Sequence, residues 1–236
     1  MRSTWRTRRA PTRSLARDIA LVCAADAVVG VSFGAIAVGL GLPAWLPMLL
    51  SLVVFAGASQ FLFIGLLGAG GNPVAAAAAA LLVNARHVPF GFALGDVFGA
   101  GRLRRIVGSH LMVDETVAFA LAQDEPARRR TAYWLCGTGL FVSWNAGVVL
   151  GTFGGQAVGD TDALGLDAAF PAVLIALLLP SLGTAPTRRA ALAGVLIALA
   201  AAPFLPAGLP VLLALAGVAA AGTRLDGRRA AAKGPR

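Results

Sequence analysis

Charged residues are scarce in this chain. Only 13% of its 236 residues are charged and 58% are hydrophobic, which gives a mean hydropathy of +0.78. A soluble domain carries about a quarter charged residues, so the composition excludes an ordinary soluble protein. Apolar segments of about 20 residues recur from Asp18 to Gly222, and this length suits transmembrane helices.

Cysteines and catalytic motifs are scarce as well. Cys23 and Cys136 lie in apolar segments, at a spacing that suits neither a disulfide framework nor a metal site. The sequence has no Gly-x-Ser-x-Gly motif, no phosphate-binding loop and no nucleotide fingerprint. We therefore predict a protein that is not an enzyme and that uses no cofactor or metal.

Eight apolar segments organise the chain. They cover residues 18–42, 45–69, 73–98, 106–123, 132–157, 166–184, 189–204 and 206–223. This pattern predicts an all-α, polytopic membrane protein with about seven or eight such segments, some of them broken or re-entrant. We expect one transmembrane domain over 18–223, between basic cytoplasmic tails at 1–17 and 224–236.

The net charge of +9 comes mainly from arginines at the two ends and in a few loops. This distribution favours a positive-inside membrane topology and argues against nucleic-acid binding. The basic start is also typical of a signal peptide, but the apolar stretch after it runs to about Leu42, so we expect an uncleaved first helix. We predict that both termini are cytoplasmic and that the loop Asp160–Asp167, which lacks Lys and Arg, is external.

Two basic loops in the middle of the chain conflict with eight crossings. Arg102–Arg105 and Arg128–Arg130 are both cytoplasmic only if 106–127 does not cross and 45–98 crosses an odd number of times. If all eight segments cross, the first of these loops lies outside. The polar residues of 106–123 make that segment a candidate for a re-entrant or broken one.

The stretch Val83–Pro89 places Asn84, Arg86 and His87 in a long apolar run. An arginine in a bilayer core is costly, so it usually faces a pathway or a partner. The proline has no N–H and leaves a helix carbonyl without its partner, which predicts a break. A polar cluster beside a broken helix is typical of a substrate-binding site. Alternatively, the two basic side chains extend to a cytoplasmic surface.

Gly57, Ser59 and Gln60 interrupt the second apolar segment. They suit a broken helix whose free N–H groups bind a carboxylate at a helix N-terminus. The alternative is an ordinary helix in which Gln60 forms a hydrogen bond across a helix contact.

Four ionisable residues in apolar segments are candidates for proton coupling or an ion pair: Asp26, His110, Asp114 and Glu115. His110 and Asp114 are four residues apart and can meet on one helical face, whereas Glu115 points about 100° away from Asp114. A carboxylate in a low-dielectric site can shuttle a proton. The alternative is a static ion pair, for example between Asp114 and Arg86.

Glycine recurs at every fourth residue in three places, at 30 and 34, at 91, 95 and 99, and from 147 to 159. Small residues at this spacing let helix backbones approach closely in lipid. They indicate close packing within the subunit or, alternatively, a subunit interface.

Four motifs in order resemble the AzlC family of branched-chain amino acid permeases, which are large subunits of inner-membrane exporters. The matching stretches are Phe55–Phe61, Leu81–His87, Asp114–Thr116 and Leu164–Asp167, with Phe170–Ala172 just after. The resemblance runs over about residues 18–223 and implies residence in a bacterial inner membrane.

The resemblance implies export of valine, leucine or isoleucine, and often methionine, together with a small AzlD-type membrane subunit. A zwitterionic substrate needs donors for its carboxylate and an acceptor for its ammonium. Gly57, Ser59, Gln60, Asn84, Arg86 and His87 are the candidate substrate-binding residues. Since no ATP site is present, uphill transport must use an ion gradient, and we expect a proton gradient. The alternatives are a passive small-solute channel and a non-transporting scaffold subunit.

Overall fold

A computed structural model of the chain describes residues 12–158, 175, 179–205 and 209–214. These residues form helices and turns without any strand, so the predicted all-α class is confirmed. The helices are α1 (Thr12–Gly39), α2 (Trp45–Val53), α3 (Gly57–Gly68), α4 (Pro73–Asn84), α5 (His87–Leu94), α6 (Arg102–His110), α7 (Asp114–Leu121), α8 (Pro126–Val158), a 3₁₀ helix (Leu179–Gly183), α9 (Ala185–Ala201) and α10 (Leu209–Leu213). The loop Asp160–Asp167 and the tail 224–236 lie outside the described residues.

Three of the predicted apolar segments are broken into pairs of shorter helices. The breaks fall at residues 54–56, 85–86 and 111–113. Near the second break Pro89 cannot donate to the carbonyl of Ala85, so the helix ends and α5 restarts at His87. At the first break the backbone of Phe55 has a φ of +23°, a value that residues other than glycine seldom adopt.

Three helical stretches of the described chain are long and apolar enough to cross a membrane: Ser14–Gly39, Pro73–Leu94 and Pro126–Ala157. The first begins earlier than the predicted apolar segment because the helix already starts at Thr12, among residues expected in the basic tail. The predicted number of about seven or eight apolar segments is not confirmed, and two of these segments, at 45–68 and 102–121, consist of short helices.

The chain divides into two compact units. The described part of the first unit contains residues 12–35, 45–55 and 86–154. That of the second contains 36–44, 56–85 and the described residues from 155 onwards. In the second unit α3 packs against α4, and α10 packs against both α4 and α9.

In the first unit, α1 and α8 meet through the glycines at 30, 34, 147 and 151. A Cβ atom at Gly30 would lie 2.8 Å from the carbonyl oxygen of Trp144. One at Gly151 would collide with the carbonyl oxygen of Val31. Since the obstacles are backbone atoms, only glycine permits this approach. Packing within the chain is thus confirmed for these glycines.

The glycines at 91, 95 and 99 behave differently from that prediction. A Cβ at Gly91 would have no heavy atom within 4 Å. Gly99 is not in α5, which ends at Leu94, and its φ is +78°. The expected ridge is therefore wrong as a continuous helical feature, because the helix stops before its third member.

The helices α1 and α8 run parallel. Contacting residues rise in number together along both helices: Cys23 with Gly139, Ala27 with Gly147, and Val31 with Gly151. The N-terminal ends of the two helices, which carry Arg13 with Arg17 and Arg128–Arg130 respectively, therefore lie on the same side of the first unit.

The basic loop before α6 lies on that side too. Arg130 donates from Nε to the carbonyl of Val97 at 3.2 Å and from an Nη atom to that of Asp96 at 3.3 Å. The chain therefore leaves this side at α6 and returns to it at the start of α8. With nine and eight residues, α6 and α7 are each about 12–14 Å long, against a hydrocarbon core of about 30 Å. Residues 102–121 thus form a helical hairpin with both basic loops on one side of the first unit, which is the arrangement expected if 106–127 does not cross.

Candidate functional site

The tip of the α6–α7 hairpin lies beside the middle of α8. A Cβ at Gly137 would lie 3.1 Å from Cβ of Leu111 and 3.3 Å from a methyl carbon of Thr116. The ring of His110 stands 5.6 Å from that of Phe141. Because residues 137–141 are central in the candidate span Pro126–Ala157, the tip reaches its middle.

Helix α7 begins at the tip of the hairpin, and its first two residues are acids. Thr116 accepts a hydrogen bond from the N–H of Val113 at 2.9 Å and donates to its carbonyl at 2.7 Å, which fixes the turn. Asp114 and Glu115 occupy the first helical turn. Negative charge is favourable there because the helix dipole is positive at its N-terminus.

Asp114 pairs with Arg86, which lies at the break at residues 85–86. An Nη atom of Arg86 lies 2.9 Å from Oδ2 of Asp114, and the two side chains are 38% and 43% exposed. Arg86 immediately precedes α5 and keeps a helical backbone conformation, with a φ of −59° and a ψ of −23°. Its Nε is buried without a hydrogen-bond partner among the described residues. The guanidinium thus retains a donor that an anion can use.

Two further carboxylates are within electrostatic range. Glu115 interacts with both Asp114 and Arg86, and Asp26 on α1 interacts with Glu115. Three acids and one arginine therefore share this part of the first unit. If all three acids were ionised they would repel one another, so the group favours taking up a cation or a proton.

The predicted meeting of His110 with Asp114 on one helical face is wrong. Helix α6 ends at His110 and α7 begins at Asp114, with a non-helical turn between them. The His110 ring instead contacts Phe55, at 6.2 Å between ring centroids, and Phe141. His87 is the first residue of α5, and its ring lies 6.0 Å from that of Phe90.

The second unit holds the other candidate residues, at the N-terminus of α3. Gly57 is the first residue of that helix, and the residue before it, Ala56, makes no side-chain capping hydrogen bond. Ser59 donates to the carbonyl of Ala56 at 2.9 Å. The opening N–H groups of a helix have no partner within the helix, so this terminus can receive an anion. Asn84, the last residue of α4, belongs to the same unit.

Gln60 is the most unusual of these residues. Its side chain is 1% exposed, and neither Oε1 nor Nε2 has a hydrogen-bond partner in the described chain. A buried amide without partners costs about 1–3 kcal/mol. A ligand or an ordered water that completes these hydrogen bonds would account for such a group.

The sequence predicts neither of two contacts in the first unit, one between polar side chains and one between aromatic rings. Ser51 donates to Oδ1 of Asn145 at 2.7 Å and so links α2 to α8. Phe55 packs edge-on against Phe141, with ring centroids 5.2 Å apart. Asn145 interrupts an apolar helix, and that isolated polar residue was the available signal for the first contact.

Apolar helices of membrane-spanning length, with polar groups at interruptions, define this chain as a helical membrane protein. The family model described as AzlC protein matches residues 22–158. The chain belongs to the AzlC family, which confirms the resemblance drawn from its motifs.

Named relatives agree with this assignment. The chain is 29% identical over 153 residues to the branched-chain amino acid transport protein AzlC of Bacillus subtilis, covering 62% of this chain and 58% of the relative. It is 30% identical over 161 residues to the inner membrane protein YgaZ of Escherichia coli, covering 65% and 62%. The chain thus spans about three fifths of the length of these relatives. No solved structure matches it.

Proposed function

We propose that the chain is the transport subunit of an inner-membrane exporter of branched-chain amino acids. The observation that carries this proposal is the Arg86–Asp114 ion pair, located at a helix break and beside the middle of a candidate span. The substrate class follows the name of the Bacillus subtilis relative. An ion pair of this kind offers one charge of each sign, as a zwitterion requires.

The substrate carboxylate has two candidate binding groups. One is Arg86, whose planar guanidinium binds a carboxylate with paired hydrogen bonds. The other is Gln60 with the N-terminal N–H groups of α3. Asp114 is the acceptor for the ammonium group. When the substrate carboxylate binds Arg86, it replaces Asp114 as the partner of Arg86, and Asp114 becomes available to the ammonium.

Export is coupled to the proton gradient through the acids of the first unit. Asp114 is held by Arg86, whereas Glu115 feels the like charges of Asp114 and Asp26. We assign the exchangeable proton to Glu115. Its protonation relieves repulsion in the group without breaking the ion pair.

The membrane topology follows from the positive-inside rule applied to the three candidate spans. With a cytoplasmic N-terminus, Ser14–Gly39 crosses outward, Pro73–Leu94 inward and Pro126–Ala157 outward. Both central basic loops are then cytoplasmic and residues 160–167 external. Residues 45–68 enter and leave on the external side. The protein works with a small AzlD-type subunit.

Transport in inverted membrane vesicles tests the proposal. Labelled leucine, valine and isoleucine are offered with and without an imposed proton gradient, and with and without the co-expressed small subunit. We expect the substrate to accumulate inside the vesicles above its outside concentration, and we expect a protonophore to abolish this accumulation. A passive channel equilibrates the substrate without accumulating it. If the chain is a scaffold and the ion pair only structural, no condition gives uptake.

A further inference from the structure

A groove of about 450 Å³ in the first unit, on the side of the basic loops, has none of the proposed transport residues in its walls. Its walls are Phe98, Leu103, Arg104, Val107, Arg130 and Trp134. Leu103 and Val107 are one turn apart on α6, whereas Arg130 and Trp134 are one turn apart on α8. The groove therefore runs between two helices.

The floor of the groove is held by the protein core. Phe98 is 8% exposed and belongs to a buried apolar cluster that includes Met112 and Tyr133. Trp134 packs against the same cluster. Tyr133 also donates a hydrogen bond to the carbonyl of Gly108 at 2.6 Å, which fixes α6 against α8. The groove is thus preformed.

The two arginines supply positive charge beside this apolar floor. Hydrogen bonds from Nε and one Nη to the carbonyls of Val97 and Asp96 hold Arg130 in place. Arg104 is exposed. Neither arginine forms an ion pair with any residue that the structure describes. The flanking segments 95–105 and 122–130 carry six arginines and three acids, so the surroundings are positive.

We propose that this groove binds an acidic phospholipid such as phosphatidylglycerol. The phosphate lies near Arg104 and Arg130, and an acyl chain lies along Leu103, Val107 and Trp134. Basic pockets between membrane helices on the cytoplasmic side suit such headgroups, and tryptophan prefers the membrane–water boundary. The apolar walls distinguish a lipid from free phosphate, which would contact only the arginines. This inference does not depend on the transport activity.

Brominated lipids test the proposal directly, because Trp134 lies in the groove. The full chain is reconstituted in phosphatidylcholine vesicles, and brominated phosphatidylglycerol is titrated against brominated phosphatidylcholine while tryptophan fluorescence is recorded. We expect preferential quenching by the acidic lipid, and Trp134→Phe should remove this preferential component. Excess inorganic phosphate or glycerol phosphate should not displace the lipid.

Matched variants on α6 separate the groove from general charge. Arg104→Gln should weaken binding of the acidic lipid about fivefold, the effect of roughly one basic residue at the membrane surface. Arg105→Gln makes the same charge change but is not in the groove wall, and it should have little effect. Equal loss in both variants, equal quenching by both lipids, or displacement by phosphate would each overturn the proposal. Intact binding in Arg104→Gln would do so too.

Discussion

The uninterrupted helices α1 and α8 differ from the interrupted segments in how they use polar and small residues. In the first unit α1 and α8 meet backbone to backbone at glycines, with space for no other side chain. Each interruption, by contrast, places polar or ionisable side chains beside it: Gln60, Arg86 and Asp114. In this protein the continuous helices provide close packing and one acid of the candidate site, Asp26, whereas the other candidate site residues lie at or near the interruptions.

The interruptions also differ among themselves. Arg86 and Asp114 satisfy each other while remaining partly exposed. Gln60 is fully buried and has no partner for its amide among the described residues. A paired charge contributes to the fold and can also bind a ligand, whereas an unpaired buried amide costs stability until a ligand arrives.

The largest expected effect comes from a substitution that disrupts the packing of the continuous helices α1 and α8. Gly151→Ala should destabilise the protein by about 3 kcal/mol or more, because its Cβ meets the carbonyl of Val31 and backbone cannot move aside easily. Thermal unfolding of the purified protein in detergent measures this. Gly91→Ala is the matched control, since its Cβ has open space. Similar unfolding temperatures for both variants would contradict the contact.

Loss of Arg86 should reduce transport to background while the protein stays in the membrane. The Arg86→Lys variant should recover little, because an ammonium does not reproduce the planar fork of a guanidinium. Leucine uptake into inverted vesicles at equal protein abundance is the measurement. The neutral double variant Arg86→Gln/Asp114→Asn separates the two roles of the pair. Full uptake by that variant would show that the pair is only structural.

Gln60→Leu should abolish or strongly reduce transport and yet raise stability by about 1–3 kcal/mol, since it removes a buried amide that has no partner in the described part of the chain. Opposite signs of the two effects are what distinguish a ligand-binding amide from a structural one. Uptake assays and thermal unfolding are compared on the same preparation. Ser59→Ala is the comparison for stability: it keeps the Gln60 amide and removes the local bond to Ala56, so it should not stabilise the protein. A less stable Gln60→Leu protein would indicate a structural partner.

The smallest expected change is selective. Glu115→Gln should keep amino-acid exchange across the vesicle membrane but lose accumulation driven by a pH gradient. The reason is that the amide keeps the shape of the side chain and cannot carry a proton. Exchange and accumulation are measured at matched protein levels, with Asp114→Asn as the comparison. Glu115 is not the proton carrier if its glutamine variant still accumulates substrate in a pH gradient.

Much of the fold was predictable because it follows from local chemistry. The proline at 89 indicates the interruption that precedes α5, and the glycines at 30, 34, 147 and 151 indicate a close helix contact. The site was predictable in part. The Arg86–Asp114 pair was one of two alternatives, and the structure brings these residues together.

Tertiary constraints decided what the sequence could not. Phe55 adopts a left-handed backbone conformation without being a glycine, and it does so where its ring packs against His110 and Phe141. No local pattern signals that conformation. The turn after His110 likewise could not be predicted, because residues 111–113 contain no proline or glycine. For this reason the spacing of four residues between His110 and Asp114 wrongly indicated a shared helical face.

The close contact between α1 and α8, which are far apart in the sequence, has a consequence for biosynthesis. The first helix emerges from the ribosome with its glycine face uncovered, and its partner is made only much later. Roughly 110 residues separate the two glycine pairs, so at about 5–20 residues per second this face waits on the order of 5–20 seconds. During that interval lipid, or another protein of the insertion machinery, must cover a surface shaped for a helix that does not yet exist.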